Sequence, residues 1–191
     1  MFNFNEEDLV KASSSKEFNG GKAGRVENVA VRVEKLGTDY QSDSPKAPKY
    51  RVIFEDGNGA KINRACFGIE PADYPNQWGK TYEETMKKEW AYLAKISEHT
   101  GGTKPMAFAN ANELFDKMYT NGVGADSINI FVNFGSTSSP KDRLEIRKWL
   151  PAVEPAGTSA EDTKLKAANL DQMTYLAPDA EDADSDEDPL F

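Results

Sequence analysis

Bulky apolar residues recur at every second position in three separate stretches, and this period of two narrows the fold more than any other feature. Val29, Val31 and Val33 form one such run, Tyr50, Val52 and Phe54 a second, and Ile128, Ile130, Val132 and Phe134 a third. Successive side chains of a strand point to opposite faces, so each run predicts a strand with one face in the core. The first strand begins at Gly24. A third strand, over 61–67, follows the second after Asp56-Gly57-Asn58-Gly59, whose Gly and Asn tolerate the positive φ of a tight hairpin turn. A last strand over 143–150 turns Leu144 and Ile146 inward.

Helical spacing interrupts this pattern between the third strand and the 127–134 strand. Met86, Trp90 and Leu93, flanked by Tyr92, Ala94 and Ile96, predict a helix over 81–99, stopped by Gly101-Gly102. Leu114, Phe115 and Met118 predict a shorter helix over 110–119. Three strands, a helical insertion and two strands make a mainly β chain of the α+β class. A five-stranded barrel with a helix between strands 3 and 4 is the order of the OB fold, which commonly binds oligonucleotides on one face. The expected organisation is an N-terminal arm (1–23), an OB-like domain (24–150), a linker (151–176) with a weak helix at 162–173, and a disordered acidic tail (177–191). A chain of 191 residues holds one domain of roughly 150 residues with tails, and its 38% hydrophobic content fits a solvated portion.

The formal net charge of −9 argues against nucleic acid only until its distribution is considered. Residues 177–191 hold seven acids and no base, whereas residues 10–150 hold 21 Lys or Arg against 18 Asp or Glu, a net of +3. A mildly basic body with an acidic arm suggests nucleic-acid contact plus an interaction tail. A tail that serves solubility alone has no use for the apolar Leu190-Phe191.

Binding single strands without sequence preference takes a basic groove for the phosphates and aromatic faces for the bases. Alternation sends Arg32, Lys49 and Arg51 outward, and Lys61 and Arg64 add charge beside the hairpin. It also turns Phe131 outward between Asn129 and Asn133, unless that ring lies beneath a helix. Arg147 and Trp149 face out of the last strand, where Trp149 stacks on bases or caps the barrel. Tyr74 and Trp78, in the loop over 68–80, offer two more rings.

Other chemistries find little support. Cys66 and His99 are the only Cys and His, too few for a typical zinc site, and no cofactor is expected. Cys66 reads as a small buried strand residue and His99 as a cation near a helix end. Gly79-Lys80-Thr81 lacks the P-loop glycine five positions earlier, where Tyr74 stands, so Thr81 reads as a helix cap. Asp182-Ala183-Asp184-Ser185-Asp186 opens like a calcium loop without its position-12 Glu. No run of apolar residues suits a membrane span and no signal-peptide pattern opens the sequence, so a cytoplasmic protein is expected.

The tail residues Asp184, Asp186, Glu187, Asp188, Pro189, Leu190 and Phe191 resemble the acidic C-terminal tip of bacterial and phage single-stranded DNA-binding proteins. Bacterial members end in acids followed by Ile-Pro-Phe; here Pro-Leu-Phe exchanges two positions, and no Gly/Gln-rich linker precedes it, which points to a phage-type variant. The resemblance implies a non-enzymatic protein that coats single strands in DNA replication, recombination or repair. It also implies that the tail recruits a polymerase, helicase, primase or nuclease, the terminal Phe entering an apolar pocket and the acids meeting a basic rim. A monomer and a homodimer both remain compatible. Two other classes stay open: an acidic DNA mimic or host-enzyme inhibitor, and a metal-dependent nuclease.

Overall fold

A computed structural model describes residues 17–37, 48–68, 70–74, 81–134, 144–146 and 152–166. Strands β1 (Gly24–Lys35), β2 (Pro48–Glu55) and β3 (Lys61–Phe67) form an antiparallel meander. Val31 pairs with Phe54, and Val33 with Val52, so the alternating residues meet on one face. Asp56 makes the β2–β3 turn: its carboxylate accepts from the backbone N–H of Asn58 and Ala60, each at 2.9 Å, and Gly59 takes φ 78°. The same carboxylate accepts from the Asn19 N–H at 2.9 Å, and Phe18 is buried in the core. The end of the expected N-terminal arm is therefore part of the fold.

Helix α1 (Tyr82–Thr100) follows. Thr81 and Glu84 form a reciprocal capping box, each side chain accepting from the other's backbone N–H. At the far end Gly101 turns left-handed at φ 73°, and the Gly102 N–H reaches the Ser97 carbonyl at 2.8 Å. Met86, Leu93 and Ile96 face the core. Helix α2 (Ala111–Lys117) is capped by Asn110 and widens into a π-helical turn, Met118–Gly122.

Strand β4 (Ile128–Phe134) runs between β1 on one side and β5 (Leu144–Ile146) and β6 (Val153–Pro155) on the other. All seven β4 residues are buried. Ile128, Ile130 and Val132 have no exposed surface, and burial of such a side chain contributes about 1.5–3 kcal/mol. A bulge in β1 at Asn28 (φ 55°) lets Val26 and Val29 both face inward, opposite Ile130 and Ile128. The Asn129 Oδ1 accepts from the Asn28 N–H at 3.1 Å and pins the bulge.

The hydrogen-bonded path is β3-β2-β1-β4-β5, all antiparallel, with β6 alongside β4. At its two ends, Cα atoms of β3 and β5 come within 8 Å of one another. The fold is thus α+β, an antiparallel sheet with two helices inserted between β3 and β4. No helix among the described residues is long and apolar enough to cross a membrane.

The described part of the last expected strand, Leu144–Ile146, is a strand, and the rest of 143–150 lies outside the described residues. A correction is needed after it: a further strand, β6, lies in the stretch expected as linker. Ala152, Val153, Glu154 and Leu165 are buried there. Acidic composition masks this strand because its acid is compensated inside the fold: Glu154 accepts from Arg25 at 2.8 Å, from the Thr163 hydroxyl and from the Lys164 N–H. The helix expected over 162–173 does not begin by residue 166; 167–173 lie outside the described residues, as do 1–16, 38–47 and the tail.

Candidate nucleic-acid interface

The outward face of β1–β2–β3 brings together four of the predicted cations. Three cross-strand rows compose it: Ala30–Glu55–Lys61, Arg32–Ile53–Asn63 and Glu34–Arg51–Ala65. Lys49 is exposed at the start of β2, next to these rows, where the ladder to β3 is irregular. Arg32 is bound by Glu34 at 3.2 Å and Glu55 at 3.1 Å, and Lys61 approaches Glu55 at 3.5 Å. These side chains are a third to a half exposed, a setting in which an ion pair stabilises by about 0.2–1 kcal/mol. A phosphate can replace such a carboxylate at little cost. Among the described residues of this face, four cations stand against two acids, Glu34 and Glu55. No aromatic side chain is described on it.

Arg64, expected beside the hairpin as a DNA contact, is turned inward instead, its side chain 12% exposed. In the register it pairs with Val52, which places it on the inner face. Its Nη2 donates to Glu89 of α1, and its guanidinium stacks over the Tyr92 ring at 4.8 Å from the centroid. Burial opposes the charge, but Glu89 and the neighbouring groups outweigh it and hold Arg64 above its ordinary pKa. Burial pushes the Tyr92 phenol up as well. Breaking a buried pair costs about 3–5 kcal/mol, so Arg64 is committed to α1 and cannot turn to a phosphate.

Phe131 also differs from expectation. It lies on the β4 face opposite Ile128, Ile130 and Val132, yet it is only 6% exposed and has no open ring face. Its flanking Asn residues are structural. Asn129 ties β1 to β6 through the Asn28 N–H and the Pro155 carbonyl, and Asn133 donates to the Phe134 carbonyl. Beside Phe131 in the ladder stands Arg25, held by Glu154 and the Thr158 carbonyl. All seven residues of β4 are buried, so both of its faces are covered, and the alternation cannot reveal that.

Tyr74 is half-buried, its ring edge-on to Tyr82 at 5.6 Å and its hydroxyl 2.5 Å from that of Thr85. It braces the loop against α1 rather than offering a flat face. Trp78, Arg147, Trp149 and the tail residues Asp184, Asp186, Glu187, Asp188, Pro189, Leu190 and Phe191 lie outside the described residues. One exposed cation escapes the alternation argument: Lys35 pairs with inward-facing Tyr50, but at the end of β1 its ammonium reaches solvent.

A cavity of about 490 Å³ opens elsewhere, between α1 and residues 153–164, lined by Lys95, His99, Glu154, Thr158, Asp162 and Lys164 among others. Burial holds His99 below its ordinary pKa, with Lys95 adding to the effect and Glu98 and Glu154 opposing it. Cys66 is buried on β3. Among the described residues no three His, Cys, Asp or Glu side chains gather as a metal ion would require. Comparison with known protein families, with curated proteins and with solved structures finds no match for the chain.

Proposed function

We propose that this chain binds single-stranded DNA without sequence preference through the outward face of β1–β2–β3, as a non-enzymatic partner in DNA replication, recombination or repair. The observation that carries the reading is the strand path. β1 pairs with both β2 and β4, the helices fall between β3 and β4, and β3 and β5 approach one another at the ends. We read this order as OB-like, and in that fold strands 2 and 3 present the oligonucleotide face. Here the corresponding face carries Arg32, Lys49, Arg51 and Lys61, of which Arg32 and Lys61 are weakly held by Glu34 and Glu55. On this reading the tail through Phe191 recruits other DNA-processing proteins, in line with its resemblance to single-stranded DNA-binding proteins of phage type.

Titrating labelled oligo-dT and a duplex of equal length with the full chain tests the proposal. Tighter binding to oligo-dT, weakening steeply with salt, is expected. Preference for duplex, or magnesium-dependent cleavage of either DNA, overturns it.

A further inference from the structure

Among the described residues only two large apolar side chains are exposed, Met106 and Tyr119, and the second has a setting that suits a ligand. Tyr119 sits in the π-helical turn Met118–Gly122. That turn sends Met118 into the core and leaves Tyr119 half exposed. Its ring rests against Tyr50 at 6.3 Å between centroids, inclined by 51°. Tyr50 is a firm backing: it is buried, its ring meets Phe115 at 6.1 Å, and its hydroxyl donates to Asp116 at 2.9 Å. The Lys35 ammonium lies 5.5 Å from the Tyr50 centroid and 3.4 Å from Asp116, with more than half of its side chain exposed.

We propose that Tyr119, backed by Tyr50 and flanked by Lys35, is a base-stacking subsite at the end of the β1–β2 ladder. It rests on the single-strand reading and deepens it. The outward face of β1–β3 supplies cations but no described ring, and single-strand binding needs both. The Lys35–Tyr50 row adjoins the Glu34–Arg51 row but belongs to the opposite face of the sheet, so a strand leaving the cations reaches Tyr119 only by rounding the end of the ladder, where the Lys35 side chain is more than half exposed. Asp116 is already occupied by the Tyr50 hydroxyl and Lys35, which reduces its repulsion of a phosphate. A base, with its π-face, fits a ring beside a cation. A protein partner needs a contiguous apolar patch of several hundred Å², and one half-exposed ring does not provide it.

The test uses the full-length protein, a fluorescent oligo-dT and an abasic deoxyribose-phosphate oligomer of the same length. Tyr119→Ala is expected to weaken oligo-dT binding by about tenfold, the loss of one stacked base, and to leave abasic binding within about twofold of the wild type. Tyr119→Phe should bind as the wild type does, and the indole emission of Tyr119→Trp should change on adding oligo-dT beyond the change given by the wild type's own three tryptophans, but not on adding the abasic oligomer. If the wild type binds oligo-dT, and Tyr119→Ala matches it while the Trp variant gives no signal beyond that of the wild type, the subsite is wrong and the single-strand reading stands. Equal losses on both oligomers also overturn the subsite, since Tyr119 would then act through the fold. If the wild type binds no oligo-dT, both proposals fall.

Discussion

Arg64 shows how one side chain can be pulled from a predicted surface role by its partner. Taking a guanidinium out of water is costly, and only Glu89 and the Tyr92 ring make that tolerable. Arg64→Met should therefore cost about 3–5 kcal/mol in urea unfolding, because it strands the Glu89 carboxylate. Arg64→Met combined with Glu89→Met should recover most of that loss, since neither charge then remains. A double variant as unstable as the single one would show that the charges themselves hold strand to helix. The burial was legible in principle: the period of two that places Cys66 inside places Arg64 inside too, two residues earlier. Its charge argues the other way, and Glu89, 25 positions along, is invisible to local pattern. Phe131 fails for the opposite reason. Its outward parity follows from the alternation, but its burial does not, because that depends on what packs over this face of the sheet and not on β4's own residues.

At the scale of elements, legibility follows how local the stabilising contacts are. The ends of α1 are written in adjacent residues, the Thr81–Glu84 box and Gly101-Gly102, and both stand where the sequence puts them. β6 is not readable this way, because its one acid is balanced by Arg25, 129 positions earlier. Ending the chain after residue 150 should lower stability by about 3–6 kcal/mol, since the buried Val153 and Leu165 side chains, at about 1.5–3 kcal/mol each, are lost together with the Arg25–Glu154 pair. Ending it after residue 166 should leave thermal unfolding close to that of the full chain; equal melting of both truncations would sink the role given to β6. The packing of residues 153–164 beside the end of α1 also has a pH signature. Burial depresses the His99 pKa in the folded state, with Lys95 acting alongside and Glu98 and Glu154 opposing. The unfolded chain then binds its proton first as pH falls. Stability present above the ordinary value of 6.5 is lost as pH drops through the lower folded value. His99→Gln should flatten the unfolding midpoint between neutral pH and pH ~5, measured against the wild type in one buffer series.

For the whole molecule, the strand order and its helical insertion are legible because each element carries its own periodicity. The bulge at Asn28 and the approach of β3 to β5 emerge only from pairing. Part of the candidate interface follows the same rule: alternation puts Arg32 and Arg51 on one outward face with Glu34 and Glu55, and only the register shows that these carboxylates pair with Arg32 and with Lys61, which joins from beside the hairpin. Charge at this scale gives the last prediction. Four phosphate contacts on single-stranded DNA correspond to a slope of log K against log salt of about −3. The tail competes with DNA for the same cations if it folds back on them. Deleting residues 177–191 removes seven acids and no base, taking the formal net charge from −9 to −2. Affinity for oligo-dT should then rise most at low salt, where screening is weakest, and the two forms should converge as salt increases. Replacing Leu190 and Phe191 alone should leave DNA affinity unchanged, because these residues carry no side-chain charge to compete with phosphate. Equal affinity of the full and shortened chains at low salt would show that the tail never occupies the basic face.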